Sequence, residues 1–345
     1  MPNQMTPGPT VLEKFFDLFP RGDRLLILTH NHPDPDSISS AAALAEISQI
    51  LGSAKTTLAY GGIIGRSENA HMVRYLELDL KPVEKIQFED FGQIALVDTQ
   101  PKTGNNSLPN RRVPDLVIDH HPIIKPTKRV PFADIRMEYG ATASILTEYL
   151  FHFGLEINKN LATALLYGIK SETQDLGREA FAIDVECYLK LFPLANKKLL
   201  AKIVNSRVPQ SYFRFLLHAI ENAQIVGNAV VTRLSEVGNP DIIPEFADLM
   251  LRLKGAVWAF CIGKYEDGLY LSIRTTNVHK NAGKLMKRLV KGKGSGGGHG
   301  LIAGGMVKVP GLEPWQVHEV ESEIESLFLK LIHKEEFGRV PLVEE

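Results

Sequence analysis

The chain has 345 residues, 44% of them hydrophobic and 23% charged, with a formal net charge of -1. That length favours two domains over one core, and the near-neutral balance argues against a protein that coats long nucleic acid, which needs a broad excess of Lys and Arg. Cys187 and Cys261 are too few for a disulfide framework or a thiolate metal site and fit a reducing compartment, so a cytoplasmic location is expected. No apolar run approaches the roughly 18 to 20 residues of a membrane-spanning helix, and residues 1–10 have neither the basic start nor the apolar stretch of a signal peptide. No membrane partner is expected, and residues 1–10 read as a flexible tail.

Arg24 to Thr29 is a short apolar run between turn-prone residues, followed by a Pro- and Asp-rich loop and a helical pattern over Ser37 to Leu51. The grammar repeats: a strand over Lys55 to Tyr60, a helix over Ser67 to Leu76, and strands over Ile94 to Val97 and Leu116 to Ile118. Alternating strands and helices predict a mostly parallel sheet, with ligands gathered beyond the carboxyl ends of its strands. Residues 140–223 read as almost purely helical. Strand patterns return over Gln224 to Leu234, Ala256 to Ile262 and Leu269 to Thr275, the last two flanking Asp267-Gly268, a strong hairpin signal. A basic helix, a Gly-rich loop at 294–300 and an amphipathic helix over Trp315 to His333 close the chain. The expected organisation is a catalytic α/β domain over 11–205, a helical connector over 206–224 and a smaller α/β domain over 225–345.

The first strand leads into Thr29-His30-Asn31-His32-Pro33-Asp34-Pro35-Asp36, the strand at 94–97 into Asp98-Thr99, and the next into Asp119-His120-His121. Carboxylates suit hard divalent cations, and imidazole adds a preference for transition ions such as manganese. A single Asp after a strand is commonly a turn cap. Several acids and histidines gathered at one sheet edge would repel one another unless cations neutralised them. His32 reads as part of the loop.

These motifs resemble those of the DHH/DHHA1 phosphoesterases, which include RecJ-like exonucleases, nanoRNases and cyclic-dinucleotide phosphodiesterases. The first matches at His30, Asp34 and Asp36, the second at Asp98, and the third at Asp119, His120 and His121. The resemblance extends to Ser272-Ile273-Arg274-Thr275, Gly296-Gly297-Gly298-His299 and Ala303-Gly304-Gly305, and so covers nearly the whole chain. It implies an N-terminal parallel-sheet DHH domain and a smaller DHHA1-like domain. It also implies two manganese ions, with magnesium or cobalt as substitutes: His30 and Asp34 on one, Asp36 and His120 on the other, and Asp98 between them. His121 would face the substrate phosphate, with Asp119 beside it as the other catalytic group. Arg274, Gly296, Gly297, Gly298 and His299 would hold the substrate.

The fourth motif departs from the family, with Gly168-Ile169-Lys170-Ser171-Glu172-Thr173 where an aspartate is usual. Glu172 is the expected ligand, with Asp175 as the alternative. Arg66 and Asn69, opening a helix below the sheet edge, form a weaker anion-site candidate. Lys280, Lys284, Lys287, Arg288, Lys291 and Lys293 carry no acid among them and read equally well as a solvated helix face. The expected activity is metal-dependent hydrolysis of short oligonucleotides or dinucleotides. A nucleoside bisphosphate phosphatase, a pyrophosphatase or a polyphosphatase stays open, as does a dinucleotide-binding regulator that has lost catalysis. The expected partner is the substrate itself, with a second copy of the chain left open as a homodimer.

Overall fold

The computed structural model describes residues 10–18, 23–52 and 54–343, and divides into two compact units, one ending at Ser206 and one starting at Arg207. The expected tail at 1–10 lies, but for Thr10, outside the described residues.

In the first unit α1 (Val11–Leu18) precedes β1 (Arg24–Leu28), α2 (Pro35–Gly52), β2 (Lys55–Tyr60), α3 (Ser67–Tyr75), β3 (Leu80–Pro82), β4 (Gln93–Val97), β5 (Leu116–Asp119) and β6 (Phe132–Ile135). Four helices follow: α4 (Thr142–His152), α5 (Lys159–Glu172), α6 (Ala182–Leu191) and α7 (Lys197–Val204). The six strands form one parallel sheet in the order β3-β2-β1-β4-β5-β6. Strand order reverses between β1 and β4. The loops leaving their carboxyl ends therefore diverge and open a crevice, the usual ligand position in such sheets.

Side chains alternate across the sheet with a period of two. Leu25, Ile27, Ala95, Val97, Leu116 and Ile118 pack with the helices, and Leu26, Leu28, Ile94, Leu96 and Val117 pack with Phe91 and Val130 on the opposite face. The small residues of α2 let it lie buried along most of its length between the sheet and its neighbouring helices. Gly168 of α5 sits so close to it that a Cβ there would fall 2.3 Å from Ser39 Oγ and 3.1 Å from the Pro35 carbonyl. That approach carries the end of α5, and Glu172 with it, towards Asp34 and Asp36 at the start of α2.

The second unit comprises α8 (Gln210–Glu221), β7 (Gln224–Val226), β8 (Ala229–Glu236), α9 (Ile242–Met250), β9 (Trp258–Tyr265), β10 (Gly268–Thr275), α10 (Ala282–Leu289), β11 (Gly294–His299), β12 (Ile302–Lys308), α11 (Pro314–Leu331) and β13 (Arg339–Pro341). Its strand order is β11-β12-β10-β9-β8-β7-β13, antiparallel except for β8 and β9. One face carries α10 and α11, the other α8 and α9. Helix α8, within the expected connector, packs Ala219 against this sheet's core.

Two sequence readings need correction here. The strand expected over Gln224 to Leu234 is a hairpin, β7 and β8, turning at Gly227, where φ is +63°. The Gly-rich loop expected at 294–300 is largely strand β11, paired with β12. Of its glycines Gly296 serves helix packing, since a Cβ there would meet Met286 Cγ at 2.8 Å, and a Cβ on Gly283 of α10 would lie 1.9 Å from the Gly298 carbonyl oxygen.

Candidate active site

The carboxyl ends of β1, β4 and β5 bring the three motifs together. Asp98, just past β4, is 4% exposed and has a φ of +57°, a left-handed conformation that an aspartate tolerates better than most residues. Its two oxygens face different partners. Oδ2 lies 3.6 Å from His30 Nε2, and that nitrogen is also 3.5 Å from Asp34 Oδ1. Oδ1 lies 3.6 Å from His120 Nε2, which is 4.0 Å from Asp36 Oδ2.

Both imidazoles are oriented from behind. His30 Nδ1 is 2.8 Å from the Asn31 carbonyl and His120 Nδ1 is 3.2 Å from the Tyr139 carbonyl. A carbonyl can only accept, so each Nδ1 carries a proton and each Nε2 is turned towards the carboxylates. A histidine that ligates a metal is typically held in this way.

Helix α4 secures the acids. Its Thr142 and Ala143 amides donate to Asp36 at 2.8 and 2.7 Å, and Thr142 Oγ1 donates to Asp98 Oδ1 at 2.9 Å. Asp34 accepts from the Ser37 amide at 2.9 Å. On Asp36 and Asp98 burial is the main influence, and the neighbouring carboxylates add to it, so both are pushed well above the usual carboxylate range. Asp34 is also desolvated, yet His30 and Ser37 hold it well below that range. Burial raises Glu172, and Asp34 raises it further against His121, Arg178 and His30. So much buried negative charge calls for cations, and carboxylate with imidazole is a donor set suited to a divalent ion of the manganese type. Two overlapping groups have donor atoms mutually close enough to share an ion: His30, Asp34 and Asp98, and Asp98, Asp119, His120 and His121. The residues present therefore fit a metal centre.

His121 has a separate support. Its Nδ1 lies 2.8 Å from Asp119 Oδ1, while Asp119 Oδ2 accepts from Gln100 Nε2 at 2.7 Å. Burial disfavours the charged ring, but the bond and charge of Asp119 outweigh it and His121 is pushed up to about 9. Gln100 and Thr142 escape the sequence reading, since nothing local marks a buried amide or a helix-starting threonine as part of a site.

The other candidates are placed as follows. Asp175 is exposed and pairs with Lys170 Nζ, whereas Glu172 is desolvated beside Asp34; neither of them, nor Asp36, belongs to either donor group. Arg66 lies 3.8 Å from Glu68, and Asn69 is buried and donates to the Pro33 carbonyl at 3.2 Å, anchoring the loop before Asp34. In the second unit Arg274 is buried, donating from Nε to Asp248 Oδ1 at 2.5 Å and from Nη1 to Ser272 Oγ at 2.9 Å. Gly297 has open space where a Cβ would stand, unlike Gly296 and Gly298. The His299 side chain lies outside the described residues.

A parallel sheet with a buried Asp and His centre at its switch point is thus followed in the chain by a second α/β unit. The chain belongs to the DHH/DHHA1 family: residues 24–169 match the DHH family, N-terminal domain, and residues 226–328 match the DHHA1 domain. It is 37% identical over 288 residues to the uncharacterized protein MJ1633 of Methanocaldococcus jannaschii, covering 83% of this chain and 58% of that one. It is 30% identical over 151 residues to a probable manganese-dependent inorganic pyrophosphatase of Bacillus licheniformis, covering 44% of this chain and 48% of that one. The chain thus spans about half the length of these relatives. An exopolyphosphatase-related protein from Bacteroides fragilis shares the fold, with a TM-score of 0.69 at 16% identity over 93% of this chain and 96% of that one. No helix among the described residues is long and apolar enough to cross a membrane.

Proposed function

We propose that this chain is a manganese-dependent phosphodiesterase of very short oligonucleotides or dinucleotides. The observation that supports this reading is the division of Asp98 between two histidines, each held by a carbonyl behind it. On this reading His30 and Asp34 would hold one ion and Asp36 and His120 the second, Asp98 would serve both, and Glu172 rather than Asp175 would be the fourth acid. When bound, such a pair of ions neutralises phosphoryl oxygens and lowers the pKa of a shared water.

The protein's own groups supply the rest. Thr142 and Ala143 fix Asp36, and Thr142 fixes Asp98, so the acids need not reorganise when substrate arrives. His121, oriented by Asp119, is assigned to a phosphate oxygen of the substrate. Arg274, Gly296, Gly297, Gly298 and His299 are assigned to the nucleotide, as the family resemblance implies. The near-neutral chain suits a short substrate better than a long strand.

The similarity to a probable pyrophosphatase favours one second reading, inorganic pyrophosphate as substrate. Metal-depleted protein reloaded with manganese and assayed on pApA, pGpG, cyclic dinucleotides, pAp and pyrophosphate tests both. The proposal expects the linear dinucleotides to give the highest kcat/KM. Pyrophosphate as the best substrate refutes it, and nucleotide binding without turnover of any compound supports a regulator instead.

A further inference from the structure

The second unit contains a cavity of about 450 Å³ that the proposed reaction does not use. It lies where the start of α10, the loop after α11 and the first residues of β9 meet. Ile273 packs with α10 and α11, whereas its neighbour Arg274 binds Asp248 just after the core residue Ala247 of α9. Successive strand residues point to opposite faces, so the cavity and Arg274 lie on opposite sides of the sheet.

Its charge is one-sided. Lys284 and Arg288, four apart on α10, share one helix face, and Lys280 lines the same cavity from just before the helix's N-cap Asn281. Lys334 joins them from beyond α11, with His279 and His333 at the rim, and no Asp or Glu lines the cavity. None of Lys280, Lys284, Arg288 and Lys334 forms an ion pair among the described residues, although Lys293 on the same basic run is paired with Glu323. Four such cations around one hollow repel each other and favour a multiply charged anion.

The rest of the lining indicates what the anion is attached to. Val257, Leu285, Leu331 and Ile332 supply apolar wall. Asn228 and Asn277 also line the cavity. A few amides beside apolar wall suit a flat heterocycle with a hydrogen-bonding edge. The volume falls within the range of roughly 300 to 1,000 Å³ usual for small-ligand sites.

We infer that this cavity is a second, non-catalytic site for a nucleoside di- or triphosphate, its phosphates on Lys280, Lys284, Arg288 and Lys334 and its base against the apolar wall and Asn228. The site is independent of the metal centre and of the reaction assigned to it.

The test is calorimetric titration of ADP into the full chain in EDTA. Wild type and Asp98→Asn should bind one ADP with equal affinity, because the site needs neither the metals nor Asp98. Lys284→Gln and Arg288→Gln should each weaken binding about tenfold or more, with an unchanged melting temperature in the absence of ADP. Lys287→Gln with Lys291→Gln, two charges of the same run outside the cavity, should bind as wild type does. ADP should also bind at least about tenfold more tightly than pyrophosphate. The inference is overturned if wild type takes up no ADP, if the Lys287 and Lys291 pair matters as much as Lys284 and Arg288, or if pyrophosphate equals ADP. Should a Gln variant melt early, Lys284→Arg and Arg288→Lys replace it, and their retention of binding is the supporting result.

Discussion

Gln100 donates to Asp119 Oδ2 at 2.7 Å, while its own oxygen accepts from Thr127 Oγ1 at 2.7 Å and from the Ile124 amide at 3.0 Å. One buried amide thus fixes the carboxylate that orients His121 and the loop that follows it. Gln100→Leu should destabilise the protein by about 1 to 3 kcal/mol through unmet buried groups and lower kcat about 10- to 100-fold with little change in KM. Gln100→Glu keeps the two accepting contacts but sets a carboxylate against Asp119, so turnover should fall by more than stability does. Denaturant melts with initial rates at saturating manganese check both. A Gln100→Leu enzyme with wild-type kcat would remove Gln100 from the site.

Glu172 ends α5 close enough to the centre for its charge to bear on Asp36 and Asp98. Glu172→Gln should weaken manganese binding and reduce turnover sharply, and Glu172→Asp should keep measurable activity because a carboxylate still reaches towards the ion. Asp175→Asn, altering an exposed group paired with Lys170, should leave both unchanged. Metal titration with initial rates decides. Loss in Asp175→Asn with a normal Glu172→Gln would reverse the assignment.

How much of this was legible in sequence follows from the range of each interaction. Asp98, Asp119 and the histidines stand at or just after the ends of short apolar strands, and Asp34 and Asp36 follow the loop after β1, so their convergence follows from a parallel sheet. Thr142 reaches Asp98 across 44 positions and Gln100 reaches Asp119 across 19, and neither residue type signals its partner locally. β3 and β6, at three and four residues, are too short to display a period. Gly294 to His299 contradicts strand propensity, yet it pairs with β12, and the missing side chains at Gly294, Gly296 and Gly298 leave room for β12 and α10.

That packing is itself testable. Gly283→Ala would set a Cβ 1.9 Å from the Gly298 carbonyl oxygen, where backbone rather than a flexible side chain must move. The expected cost is about 1 to 3 kcal/mol of stability, while metal content stays normal because every assigned ligand lies in the first unit. An unchanged melting temperature would show that the helix and strand are further apart than described.

Glu321, on α11, is buried beside Glu325 and Arg233, with His318 Nδ1 at 3.7 Å. Burial raises it, Glu325 adds to the rise, Arg233 opposes, and the group is pushed up to about 7. A carboxyl raised on folding contributes stability fully below its unfolded value near 4.5 and loses it as pH rises through about 7. Wild type should therefore lose stability relative to Glu321→Gln between pH 4.5 and 7, by of order 1 to 3 kcal/mol. Thermal melts across that range check it, and parallel profiles for the two proteins would contradict the assignment.

On the proposed function, the centre around Asp98 binds the cations on which hydrolysis depends. The most direct test is the manganese content of dialysed wild type and Asp98→Asn, measured with the turnover of pApA on the same samples. Wild type should hold about two ions per chain and show metal-dependent turnover. Asp98→Asn should retain one ion or none, with turnover lower by several orders of magnitude in a protein that stays folded. Wild-type turnover that survives complete metal removal, or an Asp98→Asn protein holding two ions at near-normal activity, would contradict it.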